Sequence, residues 1–377
     1  MAKQKRRGHG EGSIYYREGE KRWVASFVLE NGKRKYLTGK TQKEALEKLR
    51  KAQREYEQGM LATGTRQTVK QYLEYWLEDV HKSRIRLSTY VEYRLMLDKH
   101  ILPALGQMQL QRLTSEQVEA LYARKREEGL SPGSIRNIHT VLHKALEHAV
   151  RRSRVARNVC DSVELPRYSR GEARILTKEQ AKLLLEQARG HQMEAILTLA
   201  VTTGMRRGEL LGLHWQDIDF ERGSLQVRRT MNRISGHGLR ETEPKTAQSR
   251  RNIVLPQFVV EVLKEHRARQ REECLQAGDA WKDHDLVFST RRGGFLDPTY
   301  LLERFQKLLD EASLPHMRFH ELRHSAATML LSMGINAKVV QELLGHSTIS
   351  MTLGTYSHVL PGMQRDAMDG LDDFFRE

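Results

Sequence analysis

A chain of 377 residues with 63 Lys and Arg against 48 Asp and Glu has a formal net charge of +15, a balance that favours polyanionic partners, nucleic acid first. At about 100–200 residues per domain two or three domains are expected, and no stretch approaches the roughly 18 consecutive apolar residues of a membrane span. Two cysteines, Cys160 and Cys274, exclude a disulfide framework and a cysteine-based zinc site. The basic start (Lys3, Lys5, Arg6, Arg7) runs into Gly, His and Glu rather than an apolar signal core, so a soluble protein of a reducing cytoplasm is expected.

The charge is uneven. Residues 1–60 carry a net +8, residues 61–170 a net +7, and residues 171–377 sum to zero. Upstream segments that grip phosphates non-specifically, joined to a neutral segment with a few placed cations, are the expected division of labour.

In chain order, Ser13 to Arg17, Arg22 to Glu30 and Lys33 to Thr38 read as three strands, with Asn31-Gly32 as a type I′ hairpin turn. Thr41-Gln42-Lys43-Glu44 matches a capping box, and Ala45, Leu46 and Leu49 give the following helix an apolar stripe to lay on the sheet. Residues 1–60 therefore form a three-strand-plus-helix module. Its Lys33, Arg34 and Lys35 could enter a DNA groove as β-ribbon readers do; the alternative is an edge strand carrying cations against aggregation.

Gly59 to Thr65 reads as a linker. Residues 66–160 have a helical period, with one stripe at Val69, Tyr72, Leu73, Trp76 and Leu77 and another at Ile135, Ile138, Val141, Leu142, Ala145, Leu146 and Ala149. Helix starts near Leu87, Thr114 and Ser131 make four or five short helices with a basic surface, and Tyr72, Tyr75 and Trp76 are expected in the core. Arg151 to Ala173 reads as a second linker. Residues 172–377 open with a helix capped by Thr177, and a strand-rich stretch (Ser224 to Thr230, Arg251 to Leu255) interrupts the helices. The fold class expected is multidomain α+β: a small three-stranded sheet plus helix, an all-α bundle, and a mostly α domain with a small β-hairpin sheet.

Four constellations lie in the last domain. In Thr203-Gly204-Met205-Arg206-Arg207-Gly208-Glu209, Arg206 and Glu209 stand three apart, so that the carboxylate can hold the guanidinium; an ordinary surface ion pair is the alternative. Lys245 sits in Pro244-Lys245-Thr246, at the tip of a hairpin between the two strand runs. His320-Glu321-Leu322-Arg323-His324 satisfies H-E-x-x-H, in which His320 and His324 would bind zinc with Glu321 as general base and Glu342 or His346 as third ligand. The same segment sets His320 and Arg323 three apart, where both can donate to one phosphate. Last come Leu343-Leu344-Gly345-His346 and Gly354-Thr355-Tyr356-Ser357-His358.

Taken in order, Arg206, Lys245, His320 with Arg323, His346 and Tyr356 resemble the active-site set of the tyrosine recombinase (lambda-type phage integrase) family. The likeness includes the flanking Thr-Gly-x-Arg, His-x-Leu-Arg-His, Leu-Gly-His and Tyr-Ser-His and extends over nearly the whole chain; Met351, where Thr is common, is a small departure. The N-terminal sheet is similar to the arm-type DNA-binding domain of conjugative-transposon integrases, and the helical segment to the family's core-binding domain.

The resemblance implies a site-specific DNA recombinase that integrates or excises a mobile element through a 3′-phosphotyrosine. In it Arg206 and Arg323 clamp the scissile phosphate and Tyr356 attacks. Lys245, His320 and His346 assist catalysis, while Glu209 and His324 support. It implies no cofactor and no metal. The partners implied are double-stranded DNA at core-type and arm-type attachment sites, a homotetramer on that DNA whose last residues (Gly362 to Glu377) pack on a neighbouring subunit, and a directionality factor, with no membrane. The competing readings are a zinc metallopeptidase built on His320 and His324 and a catalytically inactive DNA-binding relative.

Overall fold

The computed structural model describes residues 12–28, 34–57, 67–168, 174–244, 250–346 and 348–349, and the chain divides into two compact units, Met1–Ser169 and Arg170–Glu377. Among the described residues no helix is long and apolar enough to cross a membrane.

The first unit opens with strands β1 (Ser13–Arg17), β2 (Arg22–Val28) and β3 (Arg34–Gly39) in an antiparallel meander, followed by helix α1 (Gln42–Glu57). Side chains alternate across a strand, so the register that aligns Ile14, Ala25 and Leu37 puts them on one face with Trp23 and Phe27. That face buries Ala45, Leu49 and Ala52 of α1, spaced four and three apart as one helical stripe. Thr41 Oγ1 accepts from the Glu44 backbone N–H at 3.2 Å, while the Glu44 carboxylate reaches back to Lys40 N at 2.8 Å, one residue before the reciprocal partner the capping box calls for. The Asn31-Gly32 turn and Lys33 lie outside the described residues, as does the segment Gly59 to Thr65.

The expected grouping of the strand cations needs correction. Phe27 pairs with Lys35 and Val28 with Arg34, so Lys35 stands on the helix-covered face and Arg34 on the open one. Adjacent residues of a strand cannot share a face. The open face instead gathers Arg34 with the exposed Tyr15 and Tyr36 and with Arg17 and Arg22.

The rest of this unit is helical: α2 (Val69–Tyr75), α3 (Leu87–Met96), α4 (Leu102–Leu105), α5 (Ser115–Glu127) and α6 (Pro132–Arg151). Both expected stripes are buried in one core. Thr68 with Gln71 and Thr114 with Gln117 form reciprocal caps, and Ser131 accepts from Ser134 N. After α2 and α3 the chain widens into π-helical turns, Trp76–His81 and Leu97–Ile101. The rings of Trp76, His81 and Tyr93 stack there, with centroids 4.7, 6.0 and 5.8 Å apart. Tyr72 and Trp76 are core as expected, whereas Tyr75 is exposed.

The stretch after Arg151 is not a bare linker. Val155, Cys160 and Val163 are buried in the helical core, Asn158 donates to the His143 carbonyl at 3.1 Å, and Arg136 donates to the Pro166 carbonyl at 3.2 Å. Its arginines and proline hid three apolar anchors too widely spaced to show a period.

The second unit contains α7 (Lys178–Gln187), α8 (Glu194–Thr203), α9 (Arg207–Leu211), β4 (Ile218–Asp219), β5 (Ser224–Val227), β6 (Thr230–Ile234), β7 (Gly238–Thr242), β8 (Arg251–Val254), α10 (Gln257–Ala277), α11 (Pro298–Glu311), α12 (Glu321–Ser332) and α13 (Ala337–Leu344). Thr177 caps α7 with Gln180 reciprocating. Helix α8 has Ala195 to Val201 buried without a break, which makes it the axis on which the unit is built.

Strands β4, β5 and β8 form one antiparallel sheet, as the sequence implied for the two runs. The connection between them holds a second hairpin, β6 with β7, that the sequence reading missed. Gly236 and Gly238 take φ of +75° and +71° at its turn.

The buried anchors after Arg151 carry a testable consequence. Val163→Ala is expected to lower the stability of the helical segment by about 2 kcal/mol, for lost buried methyls and the space they leave. Denaturant unfolding followed by the fluorescence of Trp76, in a background with Trp23, Trp215 and Trp281 replaced by Phe, reads it; an unchanged midpoint would return this segment to the status of a linker.

Candidate active site

Helix α8 ends because Gly204 adopts the left-handed conformation, φ +61°. A Cβ there would lie 2.5 Å from Leu344 Cδ2 and 3.4 Å from Ala326 Cβ, so the corner packs directly on α13 and α12. Two residues on, Arg206 is the N-cap of α9. Its backbone N–H donates to Glu209 Oε2 at 3.0 Å and its Nη1 to Glu209 Oε1 at 2.7 Å. The expected Arg206–Glu209 pair is therefore formed, but it is not an ordinary surface pair. Glu209 is 4% exposed and is shared with a second guanidinium, Arg251, through Nη2 to Oε2 at 2.9 Å and Nη1 to Oε1 at 3.3 Å. Burial alone would raise the Glu209 pKa; Arg251 and Arg206 outweigh it and hold the carboxyl below its ordinary value.

Arg251 is the participant that sequence reasoning missed. Its signal was its place on β8, whose burial alternates from Arg251 to Ile253: an arginine on the inward side of a strand requires a buried acceptor. Its Nε also donates to the Leu343 carbonyl at 2.5 Å, and Arg206 Nη2 donates to the Gly345 carbonyl at 3.2 Å. One carboxylate and two guanidiniums thus tie α9 and β8 to the end of α13.

Arg323, on α12, is 3% exposed and donates through Nη1 to the Gly204 carbonyl at 2.8 Å, the residue two before Arg206. His346 follows the left-handed Gly345 that ends α13. It is buried, with its backbone N–H on the Gln341 carbonyl at 3.1 Å and its carbonyl accepting from Gln341 Nε2 at 3.0 Å. Desolvation, then the positive charges of Arg323 and Arg206, push the His346 imidazole down to about 4. His320 is the residue before α12 and lines, with Arg206, a pocket of about 940 Å³. Although the residue keeps an exposed edge, desolvation of its ring, then His324, Arg323 and Arg206, pushes it down to about 4 as well. Both imidazoles are neutral at neutral pH, so each can accept a proton at one nitrogen and donate from the other.

The structure thus brings together Arg206, Glu209, Arg323 and His346, with His320 alongside. His324 packs its ring edge-on against His320, centroids 5.3 Å apart. Lys245 and Tyr356 lie outside the described residues, as do Met351 and the segment Gly362 to Glu377. The H-E-x-x-H reading fares worse. Glu321 is turned to Arg318, whose backbone N–H, Nε and Nη2 reach it at 2.6, 3.2 and 3.0 Å. A general base between two histidines would have to be free of that fork.

The model of the phage integrase family matches residues 174–362, and that of the phage integrase N-terminal SAM-like domain matches residues 68–125. A tyrosine recombinase XerC-like protein of Caldanaerobacter subterraneus is 34% identical over 366 residues, covering 92% of this chain and 94% of its own. An integrase of Streptomyces ambofaciens is 34% identical over 382 residues, covering 97% and 98%. Among solved structures, the Tn1549 transposon integrase in complex with transposon right end DNA superposes with a TM-score of 0.70 at 22% identity, over 81% of this chain and all of that one. A lambda integrase tetramer bound to a Holliday junction gives 0.58 at 20% identity, over 93% and 96%. These two carry the fold.

The neutral histidines set an acid limit. A histidine whose folded pKa lies below its unfolded value of 6.5 adds stability that is fully present above pH 6.5 and is lost as pH falls towards 4. For the buried His346 the loss is on the order of 3 kcal/mol. His346→Asn is expected to flatten that part of the stability profile of the DNA-free protein, measured by thermal unfolding between pH 7 and 4. A variant as acid-sensitive as the parent would place the titrating group elsewhere.

Proposed function

Because the chain belongs to the phage integrase family of tyrosine recombinases, we propose that its site-specific recombination runs through the residues gathered at the Gly204 corner, with Tyr356 as nucleophile. The observation that carries the assignment is the direct tie between the two arginines' supports: Arg323 holds the carbonyl of Gly204, and Arg206, two residues on, holds the carbonyl beside His346.

A phosphodiester resists attack because its anionic oxygens repel nucleophiles. Two guanidiniums fixed before substrate arrives neutralise the charge that grows on the pentacoordinate phosphorus without reorganising during the reaction. Glu209 fixes Arg206, and the Gly204 carbonyl fixes Arg323. A neutral His346 donates an N–H to a phosphate oxygen. A neutral His320 accepts or orders the proton of Tyr356, whose ordinary pKa near 10 requires such help. Lys245 gives a proton to the leaving 5′ oxygen. The Tyr356 oxygen bonds to phosphorus as the bond to the 5′ oxygen breaks, and the ester is kept as a 3′-phosphotyrosine. A 5′-hydroxyl from another duplex then reverses the attack without ATP.

In the wider organisation we assign arm-type sites to residues 1–60, core-type sites to residues 66–160, and catalysis to residues 172–377. The net +15 of the chain and the DNA-bound state of the solved relatives support double-stranded DNA as substrate. A tetramer on two sites, a directionality factor and a cytoplasmic place of action complete the reading.

Covalent trapping tests it. Nicked genomic fragments of the parent element incubated with protein should yield a band stable to denaturation, whose sequences define the core site; Tyr356→Phe should bind the same DNA and lose the band. Arg206→Ala and Arg323→Ala should each slow cleavage by about 100-fold or more, and cleavage should persist in excess chelator. A covalent band in the Tyr356 variant moves the nucleophile; cleavage that stops in chelator and returns with zinc revives the His320/His324 metal site.

A further inference from the structure

The glutamate of His320-Glu321-x-x-His324 has no part in the chemistry above, yet it is 5% exposed and heavily engaged. Its Oε2 accepts the Arg318 backbone N–H at 2.6 Å, its Oε1 accepts Arg318 Nε and Nη2 at 3.2 and 3.0 Å, and the backbone of Arg174 also bonds to it. What this holds is a guanidinium whose side chain is 75% exposed. An exposed arginine is ordinarily mobile, and ordering it on a ligand costs side-chain entropy. Arg318 has lost that freedom already. Two of its five N–H donors are spent on Glu321, which leaves the remainder for an acceptor from outside.

Arg174 is fixed in the same neighbourhood, with Nη1 on the His316 carbonyl at 2.6 Å. Both arginines line the pocket that Arg206 and His320 line, and Arg207 lines it too. Among the described residues four guanidiniums thus share one concavity with a single carboxylate, Glu321, which is already occupied. The scissile phosphate, on the proposed reading, uses Arg206 and Arg323. The further positive charge lining the pocket has no assigned anion.

We infer that Arg318 and Arg174 form a second phosphate subsite, which takes the backbone phosphate neighbouring the scissile one on the cleaved strand. Glu321 is its positioning residue. The inference rests on the recombinase reading for the identity of the strand, and on the geometry of this pocket for the rest. The subsite reads no sequence; it fixes the register of the strand, so that the phosphorus beside Arg206 is the one presented to the nucleophile.

The test uses the full chain and the core-site duplex defined by covalent trapping, prepared with single neutral methylphosphonate linkages at each position flanking the cleavage point. For the parent protein, one flanking substitution is expected to weaken binding about tenfold, the scale of a hydrogen bond to a charged group. Arg318→Ala should show that loss on the all-phosphate duplex, no further loss on the duplex with that one linkage neutral, and a salt slope smaller by about 0.9. Arg318→Lys should recover part of the affinity as a point charge. Unchanged binding by Arg318→Ala overturns the subsite. So does an equal added loss on every duplex, or a lowered Tm with uniformly weaker binding, which would make Arg318 a staple of the 316–321 segment. If the parent protein gives no covalent band at all, it is the recombinase reading that fails; the salt slopes of parent and Arg318→Ala on a mixed-sequence duplex then decide the subsite alone, an unchanged slope rejecting it.

Discussion

The carboxylate of Glu209, buried between Arg206 and Arg251, is the interaction on which the catalytic unit turns. Isolated, any of the three charges would be costly to remove from water; joined through four hydrogen bonds or ion pairs at 2.7 to 3.3 Å, they satisfy one another and leave the outer donors of Arg206 for a ligand. The arrangement also defines where three elements meet, since Arg251 continues to the Leu343 carbonyl and Arg206 to that of Gly345. Breaking one partner would strand the others. A buried ion pair of this kind is weak evidence for stability, but it specifies one geometry among the many that apolar packing would tolerate.

Around that carboxylate, two left-handed glycines do the steering. Gly204 and Gly345, with φ of +61° and +67°, end helices α8 and α13 and turn their carbonyls to Arg323 and Arg206 respectively. Helix termini leave carbonyls without intrahelical partners, and here guanidiniums supply them. The same atoms that close the helices orient the phosphate clamp, so the fold and the site share their hydrogen bonds.

What the sequence disclosed followed from the range of the interactions. The stripes of α2 and α6, the caps at Thr114, Ser131 and Thr177, and the pairing of Arg206 with Glu209 are local, and residue spacing encodes them. The bonds from Arg251 to Glu209 and from Arg323 to Gly204 span 42 and 119 residues, and no period or motif marks them. The order of site residues was legible only through family likeness, while their partners distant in sequence were not. The β6–β7 hairpin was missed because a hairpin turn and an irregular loop have the same composition. The segment from Val155 to Val163 was misread because three anchors among arginines have no period. Arg34 and Lys35 were grouped by adjacency, although strand alternation divides neighbours between faces. Glu321 could serve as a base in the competing metallopeptidase reading because a motif states which residues are near one another and not which way a carboxylate is turned.

The two histidines of the site are held neutral, and the cations around them are guanidiniums, which stay protonated at every pH a cell reaches. Above the acid limit of the histidines, the guanidinium share of the field offered to a phosphate is therefore steady. A clamp whose charge is not switched near neutral pH is governed by supply, through whichever chain segments and strands are delivered to it and in what order.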